Sequence, residues 1–398
     1  MHGFPIFLYK KGIKMGELLV MISIFIALLA LNCFEQKYKP WAICFYFLLL
    51  IFAGFSYGLP DEGMYQAIFS NSNKLELKNV FSYMSATQYG YSRDMGYTFI
   101  NFIVNEAGMN YAEFKLIFYA VGYGIIFFVI YKKTKYIIPV LVLYMIYPFG
   151  MDIIQMRNFF LEALIFLAFY FYTSYSGYKR YISWIVTILI AATFHSAGLL
   201  MLPFVIFERI LNNRLRYVAY LLLLVALLMP VYANYLQSIS LAVQLFFGAT
   251  ESSFRHYAIY LDRTVAVGTH IKAYIFMIIM FLYIYYIASR FSKIVHFNQN
   301  QQYILAVKNF VLYNFIFFPL YPLFSDMAGR FPRNCILLVL MSVALMMEKS
   351  NLVYKNLYFC ISLLFVLMMG RLDLFSPALI FCVNLIFRNN IIFDFINI

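Results

Sequence analysis

Long apolar runs, each closed by a cluster of charged or turn-forming residues, recur along the 398-residue chain. Set against the ~20 apolar residues that a helix needs to cross a bilayer, they predict about thirteen transmembrane helices (range about 11–14). These lie near 18–34, 41–57, 112–131, 136–149, 153–175, 181–194, 196–210, 217–236, 271–290, 303–320, 332–347, 355–370 and 376–388. The short segments 181–194 and 196–210 are expected to be half-helices that meet at a cavity, where irregular backbone escapes lipid. The fold expected is an all-α polytopic membrane protein forming one integral domain over 1–398. Three connections, 58–111, 234–270 and 319–333, are longer than joining two helices requires, and such loops usually carry function. Within the first, Met95 to Glu106 is weakly amphipathic and is expected to lie along the membrane interface.

Composition sharpens the class. Hydrophobic residues make up 64% of the chain and charged residues 12%, too few to clothe a soluble globule. Lysine and arginine concentrate on one set of loops, among them Lys132, Lys133, Lys135, Lys179, Arg180, Arg209, Arg214, Arg216 and Arg388. By the positive-inside rule those loops are cytoplasmic, with the C-terminus inside and the N-terminus outside. Lys10, Lys11 and Lys14 oppose that N-terminus unless translation starts at Met15. The net charge of +13 is therefore topogenic and gives no reason to invoke nucleic acid. Cys33, Cys44, Cys335, Cys360 and Cys382 lie in or beside apolar runs without metal-ligand spacing, and are read as packing residues.

Candidate chemistry gathers on the other face. Arg157 leads one apolar helix and His195 ends the next, with the basic turn Lys179-Arg180 between them. At about 1.5 Å per residue, the ~27 Å descent from Arg157 and ~21 Å climb to His195 leave both side chains near one membrane face. Ionisable residues at such positions are functional candidates by default. The outer loops add Asp61, Tyr65, Asp94, Arg255, Tyr257, Arg330 and Arg333. Arginine presents a planar fork of donors suited to phosphate oxygens, so several around one cavity imply a multiply charged anion such as a pyrophosphate. A carboxylate or histidine nearby, Asp61 or His195, would take a proton from an attacking hydroxyl. Duller readings stand beside these: an Arg157–Asp152 structural pair, a His195 that merely donates to a carbonyl, and a buried Glu162 that needs a partner or a proton.

No acid-x-acid clamp, P-loop, GxGxxG or H-E-x-x-H is present, which argues against a nucleotide-sugar transferase of the cytosolic type, an ATP-driven pump and a zinc protease. Matching halves are also missing, which weakens an inverted-repeat transporter.

Four stretches resemble the EpsG-type family of polysaccharide polymerases, relatives of the Wzy O-antigen polymerases. They are GLPDEGMYQAIF with Asp61 and Tyr65 four apart, DMGYTFINFIVNEAGMNYAEFKLI, MRNFFLEALIFLAFYFY led by Arg157, and TFHSAGLLMLP around His195. FRHYAIYL and GRFPRNCILL stand where the family has later basic and aromatic loop residues. The chain departs from the family pattern at Ser56–Pro60, which lacks an arginine, and at Asn158, where glutamine is common.

The resemblance implies a metal-independent glycosyltransferase of GT-C-like, lipid-linked-donor architecture, without cofactor. It would sit in the bacterial cytoplasmic membrane and act at the outer face. The growing glycan would pass from undecaprenyl pyrophosphate to a new lipid-linked repeat unit, with a chain-length regulator as a further partner. In that reading Arg157 and Arg255 bind pyrophosphate, with Arg330 or Arg333 assisting. Asp61 and His195 are the candidate bases, and Tyr65, Asp94 and Tyr257 contact the substrate. An exporter or flippase of lipid-linked oligosaccharide, and a polysaccharide acyltransferase, are the alternatives.

Overall fold

The structure, a computed structural model, describes residues 39–80, 94–212, 267–294, 299–315 and 333–372, together with 389–392 and scattered single positions that include Arg330. The expected spans 18–34 and 376–388, most of 217–236, and nearly all of the 234–270 loop lie outside the described residues.

Apart from one isolated bridge, the described residues are helices, turns and connections, with no strand among them. In chain order the helices are α1 (Lys39–Gly54), α2 (Glu62–Ser72), α3 (Leu77–Val80), α4 (Met95–Glu106), α5 (Tyr111–Lys133), α6 (Ile137–Ile146), α7 (Phe149–Ile154), α8 (Met156–Ser174) and α9 (Gly177–Phe194). A 3₁₀ turn (Ser196–Met201) follows, then α10 (Phe204–Asn212), α11 (Val267–Ile294), α12 (Gln299–Phe315), α13 (Ile336–Glu348) and α14 (Leu352–Leu372). By length and composition three helices among the described residues can cross a membrane: α5, α14 and the Ile275–Lys293 part of α11. Shorter apolar helices are Pro40–Gly54, α6 and α13. The other expected spans are too short or too polar by this measure, or lie outside the described residues.

Local chemistry explains the boundaries. At the start of α5, the Asn110 side chain accepts from the Glu113 amide at 3.0 Å, and the Glu113 carboxylate accepts from the Asn110 amide at 2.8 Å. This reciprocal cap satisfies two of the orphan donors at a helix start. The same helix ends on Lys132 and Lys133, where the helix dipole favours cations. The single run expected over 153–175 is divided: Gln155 (φ −105°, ψ 63°) leaves helical geometry and separates α7 from α8. α9 is longer than the half-helix expected at 181–194, starting at Gly177, whose φ of +62° favours a residue without a Cβ.

α8 is the axis of the bundle. It packs on α5, α9, α12 and α7, and fourteen of its nineteen residues are buried. A helix apolar on all sides belongs in an interior. Phe169 of α8, Trp184 of α9, Phe204 of α10 and Phe310 of α12 pack edge to face and tilted with centroids 4.9–6.1 Å apart, the geometry aromatic rings prefer.

The bundle has two chemically distinct ends. At one, Arg157 opens α8 and Lys115 stands in the first turns of α5. At the other, Arg180 pairs with Glu208 at 2.8 Å, Tyr172 bonds the same carboxylate, and Glu348 of α13 accepts from Thr134 at 2.8 Å. The second end holds the basic loops. Residues 389–392 correct the expected topology. Tyr57 N donates to Asn389 O at 2.9 Å and Ile391 N to Phe55 O at 3.1 Å, which places this segment at the Arg157 end, not with the basic loops.

Candidate functional site

The site forms where α8 and α9 open at their shared end. Arg157 is the second residue of α8, where the helix dipole opposes a cation. The compensation comes from Asp94, which precedes α4. Arg157 Nη1 donates to Asp94 Oδ2 at 2.7 Å, while the Ser196 amide donates to Asp94 Oδ1 at 3.0 Å. One carboxylate thus ties the start of α8 to the turn after α9. The structure replaces the Asp152 pairing considered above, since Asp152 instead accepts from Tyr144 at 2.6 Å. The Arg157 side chain keeps 22% exposure, against 6% for Asp94, with its Nε buried. Its Cζ lies 5.8 Å from the Tyr65 ring centroid and 5.9 Å from that of Tyr97, within cation–π range.

α4 is held against α9 by close backbone approach. A Cβ on Gly96 would fall 2.2 Å from Thr193 Oγ1, so only glycine lets Asp94 and Tyr97 sit this near to His195.

His195 ends α9 and is 9% exposed. Its Nδ1 accepts from the Ala197 amide at 3.2 Å, capping the 3₁₀ turn, in place of the donation to a carbonyl considered above. Nε2 is 3.2 Å from Arg330 Nη1. Burial first, then the charges of Arg330 and Arg157, lower its pKa to about 3, so the ring is neutral at any ordinary pH. Burial raises the phenols of Tyr65 and Tyr97, which stay protonated donors.

Asp61 occupies the position before α2 and makes no side-chain cap there. It is near enough to Tyr65 to act on its phenol electrostatically, as are Arg157 and Arg330. Asp61, Tyr65, Asp94, Arg157, His195 and Arg330, far apart in sequence, therefore share one neighbourhood. Arg333 stands beneath it, buried, with Nη1 donating to Gln155 Oε1 at 2.7 Å. Arg255 and Tyr257 lie outside the described residues.

Sequence reasoning missed the residues that support this group. Gln155 holds Arg333, and Asn158 Nδ2 donates to Asn334 Oδ1 at 3.1 Å, so both fix the segment carrying Arg330 to α8. Lys115 is buried and paired with Glu62 at 3.0 Å, with further bonds to Ser56, fixing the loop of Asp61 to α5. The signal was present: a lysine inside the apolar run YAEFKLIFYA needs a partner. Glu162, 1% exposed, has Asp152 and Arg333 as its electrostatic neighbours. Among the described residues, no three His, Cys, Asp or Glu side chains come together as a metal site.

In chemical terms, two guanidinium groups and a neutral imidazole converge at a helix mouth lined by tyrosines, a donor-rich setting for a polar anion. The EpsG family model matches residues 39–381. No curated protein and no solved structure matches the chain.

Proposed function

The chain belongs to the EpsG family, and from that membership we propose that it is a polysaccharide polymerase of the cytoplasmic membrane, extending glycan at the outer face. Its donor is the growing glycan on undecaprenyl pyrophosphate, and its acceptor is a new lipid-linked repeat unit. The observation that supports this reading is the Arg157 guanidinium, paired with Asp94 on a side chain that keeps 22% exposure, in one group with Arg330 and His195.

A sugar hydroxyl of the acceptor attacks the anomeric carbon of the donor glycan. The bond from that carbon to the pyrophosphate oxygen breaks, and its electron pair leaves with the lipid pyrophosphate. Arg157 and Arg330 stabilise the charge that builds there, the kind of preorganised help that usually dominates such catalysis. Asp61 takes the hydroxyl proton, and Tyr65 orients sugar or phosphate. Arg255 and Tyr257 would complete the anion and sugar contacts from the 234–270 loop.

The test is the lipid-linked and surface glycan profile of a deletion strain complemented with wild type or with Arg157→Ala. A ladder that collapses to one repeat unit in the deletion and in the variant supports the reading. Loss of every surface repeat unit would indicate export instead, and an unchanged ladder would refute polymerisation.

A further inference from the structure

The imidazole of His195 meets an N–H group on each side. Nδ1 is 3.2 Å from the Ala197 amide nitrogen, and Nε2 is 3.2 Å from Arg330 Nη1. A neutral imidazole has one acceptor nitrogen and one N–H, whereas an amide and a guanidinium only donate. One of the two approaches therefore sets donor against donor.

The amide is the immovable partner. Ala197 is buried in the 3₁₀ turn, whose preceding amide is held by Asp94 at 3.0 Å. A Cβ on the next residue, Gly198, would come within 2.9 Å of the Ala192 backbone, so the turn is packed hard on α9. Arg330 reaches Nε2 on a long side chain that can adjust.

We infer that His195 is fixed as the Nε2–H tautomer, and that this N–H and Arg330 donate together to one oxygen of an anionic group on the substrate. Under the polymerase reading, on which the assignment rests, that group is the pyrophosphate of the lipid-linked donor. Two donors 3.2 Å apart both reach an oxygen placed at the usual ~2.9 Å from each. The arriving anion offers both donors a shared acceptor. His195 then acts as a neutral electrophile and does not take the acceptor's proton, because freeing Nε2 as a base would move the proton to Nδ1, against the Ala197 amide. The charged groups around the ring agree: Arg330, Arg157 from α8, and Asp94 from α4, with the protonated phenols of Tyr65 and Tyr97 beyond. Doubly protonated imidazolium would face the same amide and sit beside two guanidinium charges.

Two measurements on the full chain test this. In ¹⁵N-histidine-labelled protein in nanodiscs, His195 should show protonated Nε2 and bare Nδ1 from pH 5.5 to 8, and inorganic pyrophosphate should move the Nε2–H proton resonance. An Nδ1–H tautomer, a titration near the ordinary value of ~6.5, or an unmoved resonance overturns the assignment. In chain synthesis, His195→Gln keeps an N–H near the Nε2 position but cannot serve as a base. It should retain about a tenth or more of wild-type product, while His195→Ala loses ~100-fold, as when one oxyanion donor is removed. Equal inactivity of the two variants, both inserted and with wild type active, overturns the donor role. Wild-type protein that makes no polymer from lipid-linked repeats would defeat the polymerase reading instead, and the tautomer measurement would still decide the proton's place.

Discussion

At the scale of single residues, the Arg157–Asp94 pair shows how a cation is kept where the helix dipole disfavours it. The 2.7 Å bond offsets the unfavourable end, and the second Asp94 oxygen fixes the turn that presents His195. Hydrogen bonds to charged groups contribute about 1.5–3 kcal/mol each. Replacing Asp94 by Ala should therefore cut chain synthesis by ~10-fold or more. Asp94→Asn, which can still accept from one partner, should fall between that variant and wild type. Measured rates at matched membrane levels check this; full activity in Asp94→Ala would show that Arg157 needs no anchor. Arg157 and His195 were legible in the sequence because an ionisable residue in an apolar period is costly. Asp94 was legible as a site residue but not as their anchor. It is 63 residues from Arg157, and no local pattern reports a contact of that span.

At the scale of elements, apolar runs located α1, α5, α6, α8, α9 and α11 to α14 to within about five residues, and weak amphipathicity located α4. The misses are α2 and α3, which fall in the 58–111 connection read as a loop, the separate α7, and the 3₁₀ turn that replaces the start of the 196–210 segment. Gln155 reads as one polar residue in an apolar run, yet its backbone leaves the helix so that α8 starts beside Asp94. Lys115 reads as a lone charge but joins α5 to the loop of Asp61 through Glu62, both side chains being buried. Removing one member of such a pair leaves an uncompensated charge and costs about 3–5 kcal/mol, whereas replacing both with apolar residues of similar size is often neutral. Glu62→Leu or Lys115→Leu alone should lower the thermal midpoint of the detergent-solubilised protein, and the double variant should regain most of the loss. A double variant as unstable as the sum of the singles would mean that the pair does not act as a unit.

At the scale of the whole molecule, the bundle is polar end to end. Basic loops and the Arg180–Glu208 pair mark one end, and the arginine–histidine group the other. Charge bias located the basic end from the sequence, but it held no information on which loops pack together, and residues 389–391 stand at the Arg157 end. Backbone bonds between 389–391 and 55–57 carry that information. The helical class and the family were likewise legible in composition and motif. What no pattern could supply was which loop arginines meet: Arg330 joins His195, while Arg333, three residues on, is turned to Gln155. The proposed transfer of glycan from a lipid pyrophosphate to a sugar hydroxyl of the acceptor, at this end of the bundle, depends on Arg157. It is tested most directly with purified protein in liposomes supplied with lipid-linked repeat units, resolving product length for wild type and Arg157→Ala. Long chains with wild type, and a loss of ~100-fold or more with a folded Arg157→Ala, are the outcome expected. Chains of equal length from both would contradict the account.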